Sequence, residues 1–348
     1  MLKELGKARR ILIEADLRPV QGDLFQPTGF ADLGAANYQL PDGTHMLLVE
    51  STQSMANRLE ATIIGPDSEL VPELAGLSYI QVQMSGDATS KTNSLVEAHR
   101  LNSPFIISDT ALQKIFRTEA CYEKGKPLNW QKIAGVLFKY DVNSLLHGAF
   151  LANLDDGRVK VTRAVSAFIE ARNVREAVSG GVKNNPFDPT GKLRAKSLER
   201  DVYSNVPYQR VQFTAEQIRA YFNLDLGLLK SYNLGDDATE LVVGLALLKI
   251  RRFLGGGLRL RTACDFKVQG EFRVTEPAGF DLPEEAALLK LVQEKISACK
   301  AIFAQPPVTE LKTEVVWKKE GGSQAAGAEP NAEGESTEDG SEDSGEQS

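Results

Sequence analysis

ATELVVGLALLKIRRFLGGGLRLRTACDF, residues 238–266, is the stretch on which the fold reading turns. Its first half is apolar almost throughout, the pattern of a buried helix, and Asp236 or Asp237 stands at its start as a cap. Gly255, Gly256 and Gly257 end the helix as glycine C-caps do. LRLRTACDF (258–266) then alternates like an amphipathic strand, with Arg259 and Arg261 on one face. Glycines there leave backbone N–H groups open, and Arg251, Arg252, Arg259 and Arg261 flank them. Amides and guanidiniums together suit a phosphodiester backbone. The plainer alternative is a helix stop followed by an edge strand.

Outward from this segment, KVQGEFRV (267–274) reads as the second strand of a pair with LRLRTACDF, and Pro283 opens a last helix, EEAALLKLVQEKISACKAIF. Upstream, Thr214 and Gln217 form a capping box for a helix over AEQIRAYFNLDLGLLKSY (215–232). YQRVQF (208–213) reads as a short strand. Residues 178–207 have no periodicity and carry loop chemistry throughout. RVKVTRAVSAFIEARNV (158–174) reads as one long strand with Val159, Val161 and Ala164 inward. Residues 109–153 read as an all-helical insertion, with Asp109 and Asn129 as caps. RRILIEADL (9–17), HMLLVE (45–50) and SYIQVQM (78–84) are strand-like. Met55, Leu59 and Ile63 mark a helix face after a Ser51 or Thr52 cap. Residues 19–43 form a long loop pinned by Phe25, Phe30 and Tyr38. Sparse strands among many helices, without βαβ alternation, give an α+β class.

The chain has 348 residues, 42% apolar and 25% charged, with no apolar run approaching the roughly 20 residues of a membrane helix and no secretory signal. Cys121, Cys264 and Cys299 are scattered, so a reducing cytoplasm is expected. The net charge of −7 is uneven: residues 319–348 carry −8 and the remainder +1. That acidic tail, rich in Gly, Ser, Ala and Glu, is expected to be disordered and solubilising.

Enzyme signatures are missing. His45, His99 and His147 lie far apart with no metal-ligand spacing, and there is no nucleophile elbow or phosphate loop. We therefore expect no catalytic residue, metal or cofactor. Basic residues cluster instead. Residues 158–210 hold eleven against five acids, and residues 249–273 hold seven against two. Clustered cations along a groove release phosphate counterions on binding nucleic acid.

The helix, glycine loop and strand near the C-terminus resemble the glycine loop of the RAMP superfamily of CRISPR-associated proteins. IEADLRPVQGDLFQPTGFADLGAA (13–36) and LLVESTQSMANRLE (47–60) resemble the crRNA-coating backbone-subunit family of the type I-G (formerly I-U) Cascade effector complex. The resemblance spans about residues 9–315. It implies an RRM-like (ferredoxin-like) core within a crRNA-binding domain over 1–318, with 9–17 as first strand and 158–174 plus 208–213 as central hairpin. Residues 236–254 are then the second helix, 258–265 the last strand, 109–153 an insertion and 176–207 a thumb-like loop. It also implies head-to-tail copies in a helical filament, other Cascade subunits, and target DNA met through the guide. The expected RNA contacts are Asn57, Arg58, Arg163, Arg172, Arg175, Lys183, Lys192, Arg194, Lys196, Arg251, Arg252, Gly255, Gly256, Gly257, Arg259 and Arg261. Arg58 pairing structurally with Glu50 or Glu60 is the competing reading. The functional alternative is a metal-dependent RAMP endoribonuclease using Asp23 or Asp32.

Overall fold

The computed structural model describes residues 1, 5–30, 33–87, 89–154, 157–190 and 205–316. Asp32, Lys192, Arg194, Lys196 and the acidic stretch 319–348 lie outside the described residues.

In chain order, the elements that matter below are β1 (Arg10–Pro19), β2 (His45–Glu50), α1 (Thr52–Ala61), β3 (Tyr79–Gly86), α2 (Thr110–Glu119), α3 (Trp130–Tyr140) and α4 (Asn143–His147). They continue with β4 (Val165–Arg172), β5 (Arg175–Lys183), β6 (Val206–Thr214), β7 (Gln217–Asp225), α5 (Asp236–Gly255), β8 (Leu258–Arg261), β9 (Cys264–Val268), β10 (Arg273–Glu276), α6 (Glu285–Ala298) and β11 (Val308–Val315). Eight α-helices occur among the described residues, so the class is mixed α+β.

A curled sheet of eight strands runs β8-β9-β1-β7-β4-β2 and ends on the short strand Asn37–Gln39, with β10 also on β1. Every neighbouring pair in it is antiparallel. Period-two patterning decides its two faces. Ile11, Ile13, Ala15 and Leu17 of β1, Val165, Ala167, Ile169 and Ala171 of β4, and Ile218, Ala220, Phe222 and Leu224 of β7 are all buried. Helix α5 covers this face, and Phe253 meets Phe222 edge-on with ring centroids 6.1 Å apart. Fourteen of its residues are buried. Each Leu, Val or Ile withdrawn from water contributes about 1.5–3 kcal/mol, so α5 anchors the core. Helix α6 packs against it where Gly244 leaves room; a Cβ there would meet Leu291 and Val292 at 3.3 Å.

Helix caps follow the sequence closely. Ser51, Asp109 and Asn129 accept the N–H groups of Ser54, Leu112 and Lys132 at 3.2, 2.7 and 3.0 Å. Helix α5 differs: Gly235 is its N-cap, and Asp236 and Asp237 lie in the first turn without capping it, where their charge still favours the helix dipole.

Five expectations are corrected. Residues 217–225 are a strand, not the start of a helix; β1 and β4 supply ladder bonds on both sides, and the helix begins only at Leu226, capped by Asp225. Residues 175–183 and 206–214 pair as a two-stranded ribbon, so both ends of the region read as loop are ordered strand. As a result 208–213 pairs with this ribbon rather than with 158–174, which itself breaks into Val159–Val161 and β4. The insertion is not all-helical. Gly148 adopts φ +79, ends α4, and sends Ala149–Leu151 into a hairpin with Val159–Val161. Any Cβ at Gly148 would meet the Val161 carbonyl at 2.8 Å. Finally, LRLR pairs with CDFKV across a tight turn, while Arg273–Glu276 pairs separately with β1. A second small sheet joins β3 in parallel to β11.

Candidate nucleic-acid interface

The long loop after β1 acts as a strap. Val20 N–H donates to the Asp265 carbonyl at 2.9 Å, and Gln26 N–H to the Ala263 carbonyl at 2.9 Å, both on the β8–β9 hairpin. Between them, Phe25 exchanges backbone hydrogen bonds with Phe213 of β6 at 3.0 and 2.9 Å. The Phe25 ring is buried and packs edge-on against Phe266 at 5.6 Å. Two neighbouring residues of one loop thus tie the base of the ribbon to the glycine-loop hairpin. These belong to the two basic segments of the sequence, separated by 38 residues there and joined here.

The ribbon projects from the sheet with few supports. Val178 and Val211 face each other across it, 68% and 40% exposed, and Phe187 beyond its end is 86% exposed. A lone two-stranded ribbon is marginal in water, and an exposed apolar stripe marks a covered surface. At the ribbon base lies an open cleft of about 1090 Å³. Gln39, His45, Asn173, Arg175 and Glu216 line it. Its polar, open walls suit a polymer segment better than an enclosed small molecule.

The expected contact residues divide by their partners. Arg175, Lys183 and Arg259 are exposed and make no ion pair among the described residues. Gly255, Gly256 and Gly257 are exposed, and Gly257 takes φ +79, which a side chain rarely adopts. Asn57 is exposed and accepts Gln53 Nε2 at 3.1 Å. Arg163 donates to the Thr52 carbonyl at 3.2 Å and to Gln53. Arg172 lies 3.8 Å from Asp42 with both groups well exposed. Arg251 pairs with Glu284 and sits 4.7 Å from the Phe272 ring. Arg252 bridges Glu73 and Glu285 at 2.9 and 3.0 Å.

Arg58 and Arg261 converge on one carboxylate. Glu50 is fully buried at the end of β2; Arg58 Nε reaches it at 2.7 Å, and Arg261 and Ser54 also donate to it. Arg58 further donates to the Leu260 carbonyl, and Arg261 to those of Gln26 and Val49 at 3.1 and 3.2 Å. This knot holds β8 against α1 and the strap. Arg259 and Arg261 therefore differ in role despite sharing a strand face. Arg259→Glu is expected to weaken RNA binding about tenfold and leave the melting temperature unchanged, whereas Arg261→Glu should lower the melting temperature by placing a second acid beside Glu50. A thermal loss for Arg259→Glu equal to that for Arg261→Glu would refute the division.

Sequence reasoning missed a sealed polar network. Glu60 takes Arg100 bidentately at 2.7 Å on both oxygens, and Asn143 Nδ2 at 2.8 Å. Lys249 donates to Asn143 Oδ1 and lies 2.9 Å from His147 Nε2. Burial pushes the Lys249 amine down to about 7 and the Asp141 carboxyl up to about 6. Burial and the Lys249 charge hold His147 well below its usual value. Lys249, counted in the basic segment, is fully buried and cannot meet a phosphate. No group of His, Cys, Asp and Glu able to hold a metal occurs among the described residues, and Asp23 is exposed. No helix among them is long and apolar enough to cross a membrane.

The fold and basic surfaces define an α+β protein with a strap-joined, cation-bearing ribbon and glycine loop. Residues 11–176, just under half of the chain, match the family described as CRISPR-associated protein GSU0053. A comparison with curated proteins finds no match. Among solved structures the chain is similar to a chain of a "CRISPR RNA-guided surveillance complex, pre-nicking", at 14% identity and TM-score 0.33, covering 70% of this chain and 71% of that one. It is also similar to Csc2 of Thermofilum pendens, at 10% identity and TM-score 0.30, covering 83% of this chain and 76% of that one.

Proposed function

We propose that this chain is a crRNA-coating backbone subunit of a type I-G Cascade effector complex, without chemistry of its own. The carrying observation is the strap, which places the Arg175 end of the ribbon and the Arg259 hairpin on either side of Phe25 and Gln26. A polymer lying along that line meets cations from both basic segments and open glycine amides. The family match over residues 11–176 supports the CRISPR role.

An RRM-like core fits this reading. The strands β9, β1, β7 and β4 stand side by side and antiparallel, the ferredoxin-like order 4-1-3-2, with α1 and α5 as its two helices. The ribbon is then the thumb. Its exposed Val178, Val211 and Phe187 fit burial against the next copy in a head-to-tail filament, with other Cascade subunits at its ends. Guide bases held by their backbone stay free to pair with target DNA.

The test is co-expression with a CRISPR array and the other effector subunits, purification through this chain, and sequencing of the bound nucleic acid. Uniform repeat-spacer RNAs in a large particle are expected. Monomeric, RNA-free protein under those conditions would overturn the proposal.

A further inference from the structure

Helices α1, α4 and α5 bring four polar side chains together in the interior. Lys249 is fully buried, Asn143 and His147 are each 1% exposed, and Glu60 is 6% exposed. Lys249 Nζ donates to Asn143 Oδ1 and lies 2.9 Å from His147 Nε2. Those two are its partners among the described residues, whereas an ammonium carries three donors. A neutral amine fits this surrounding: its two N–H groups meet two acceptors, and the nitrogen keeps a lone pair. Burial, which pushes the amine down to about 7, favours the same form.

The amide that Lys249 touches is held on its other side. Asn143 Nδ2 donates to Glu60 Oε1 at 2.8 Å, and Arg100 grips that carboxylate through both oxygens at 2.7 Å. The amide is therefore fixed with its oxygen on the amine, and Cγ is one bond from the atom that Nζ already meets. Because lysine only donates, His147 Nε2 accepts, which puts the ring proton on Nδ1. His147 Nδ1 itself is buried without a partner. A desolvated amine, a base upon it and a positioned carbonyl, closed off from water, are the parts of an acyl transfer.

We propose that the chain links itself: Lys249 Nζ attacks Asn143 Cγ, joining the two side chains by an amide bond and releasing ammonia. The Nζ lone pair makes the new bond to Cγ, and the Cγ–Nδ2 bond breaks with its electron pair leaving on Nδ2. His147 Nε2 takes one proton from Nζ, and Nδ2 gains one on the side that Glu60 holds, so ammonia departs and the carbonyl is restored. No oxidant, reductant or water is consumed. The link joins α5 of the core to α4 of the insertion across 106 positions of sequence. It is a single event on the chain itself, with no turnover of another molecule, and it stands apart from the RNA-binding reading. Lys249 titrates only in the unlinked chain.

The experiment incubates the purified full chain at about pH 8, where the amine is mostly neutral, and reads its intact mass under denaturing conditions over several days. A loss of about 17 Da, the mass of ammonia, is expected by the end. After trypsin, residues 140–158 and 231–251 should then appear as one branched peptide, because an acylated Lys249 is not cut. Lys249→Met, similar in length and suited to burial, should keep its full mass. His147→Leu should slow linking about a hundredfold, the effect of a lost base, with circular dichroism unchanged. Should either variant fold poorly, the branched peptide of the unaltered chain decides. Unchanged mass of the unaltered chain overturns the proposal. The same mass loss without the branched peptide, as a cyclised asparagine elsewhere would give, overturns it too. Linking of His147→Leu at the unaltered rate overturns the assignment of His147 as the base.

Discussion

Glu60→Ala is expected to destabilise the protein by about 3–5 kcal/mol, read as a lower urea midpoint at pH 7. The substitution removes the carboxylate that Arg100 grips through both oxygens and that Asn143 also contacts. Arg100 is then left charged without its partner, the costly half of a broken ion pair, while Lys249 loses the carboxylate that held its amine up and sheds its proton. The network also joins α1 to α4 and α5, so the loss spreads across the junction between the helical insertion and the core. Glu60→Gln keeps some hydrogen bonding but no charge and should fall between. The pH dependence has a defined sign. Burial would raise the Glu60 carboxyl, but neighbouring positive charge, bonded Arg100 included, holds it down at about 2 from an ordinary 4.5. Its contribution is thus fully present above pH 4.5 and is lost as pH falls towards 2, so the gap between wild type and Glu60→Ala should narrow across that window. Lys249 acts at the other end. Its amine sits at about 7 against an ordinary 10.5, so the folded state binds fewer protons there and stability rises with pH between those values. Asp141, raised by burial from 3.8 to about 6, opposes the trend by favouring the fold as pH falls through that interval. A midpoint for Glu60→Ala within about 0.5 kcal/mol of wild type would show that the network is not holding the insertion in place.

Reversing the three exposed cations that lack ion pairs, Arg175→Glu, Lys183→Glu and Arg259→Glu together, is expected to reduce RNA affinity at least a hundredfold near 150 mM salt. The slope of log affinity against log salt should flatten by about two to three, close to one per lost phosphate contact. The melting temperature should hold, because these side chains make no ion pair among the described residues that the change would break. Reversal of Arg251 and Arg252 makes a useful contrast. They bond Glu284, Glu73 and Glu285, so stability should fall more than the salt slope. Unchanged affinity and slope in the triple variant would remove the ribbon and hairpin from the interface.

The sequence by itself determined the local elements whose signals are short-range. Ser51, Asp109 and Asn129 cap the helices they precede, because a side-chain oxygen reaches an N–H only three positions away. The glycine stop after α5, the apolar alternation of β1 and the unequal spread of charge were legible for the same reason. Tertiary structure decided the rest. Residues 217–225 satisfy both periods: Ile218, Tyr221 and Phe222 fit a helix face, while Ile218, Ala220, Phe222 and Leu224 alternate. The ambiguity falls to the strand because β1 and β4 both offer ladder bonds to it, partners lying some 200 and 50 positions away in sequence. Charge was ambiguous in the same way. Arg259 and Arg261 look equivalent along the chain, yet one is free of ion pairs among the described residues and the other grips buried Glu50, 211 positions distant. Lys249 counted as a surface cation until α5 turned it into the core beside Asn143 and His147. The Phe168–Tyr221 stack belongs to this second kind too, since cross-strand neighbours exist only once the register is set. Composition counts charges and apolar groups; only the fold decides which of them meet water and which meet each other.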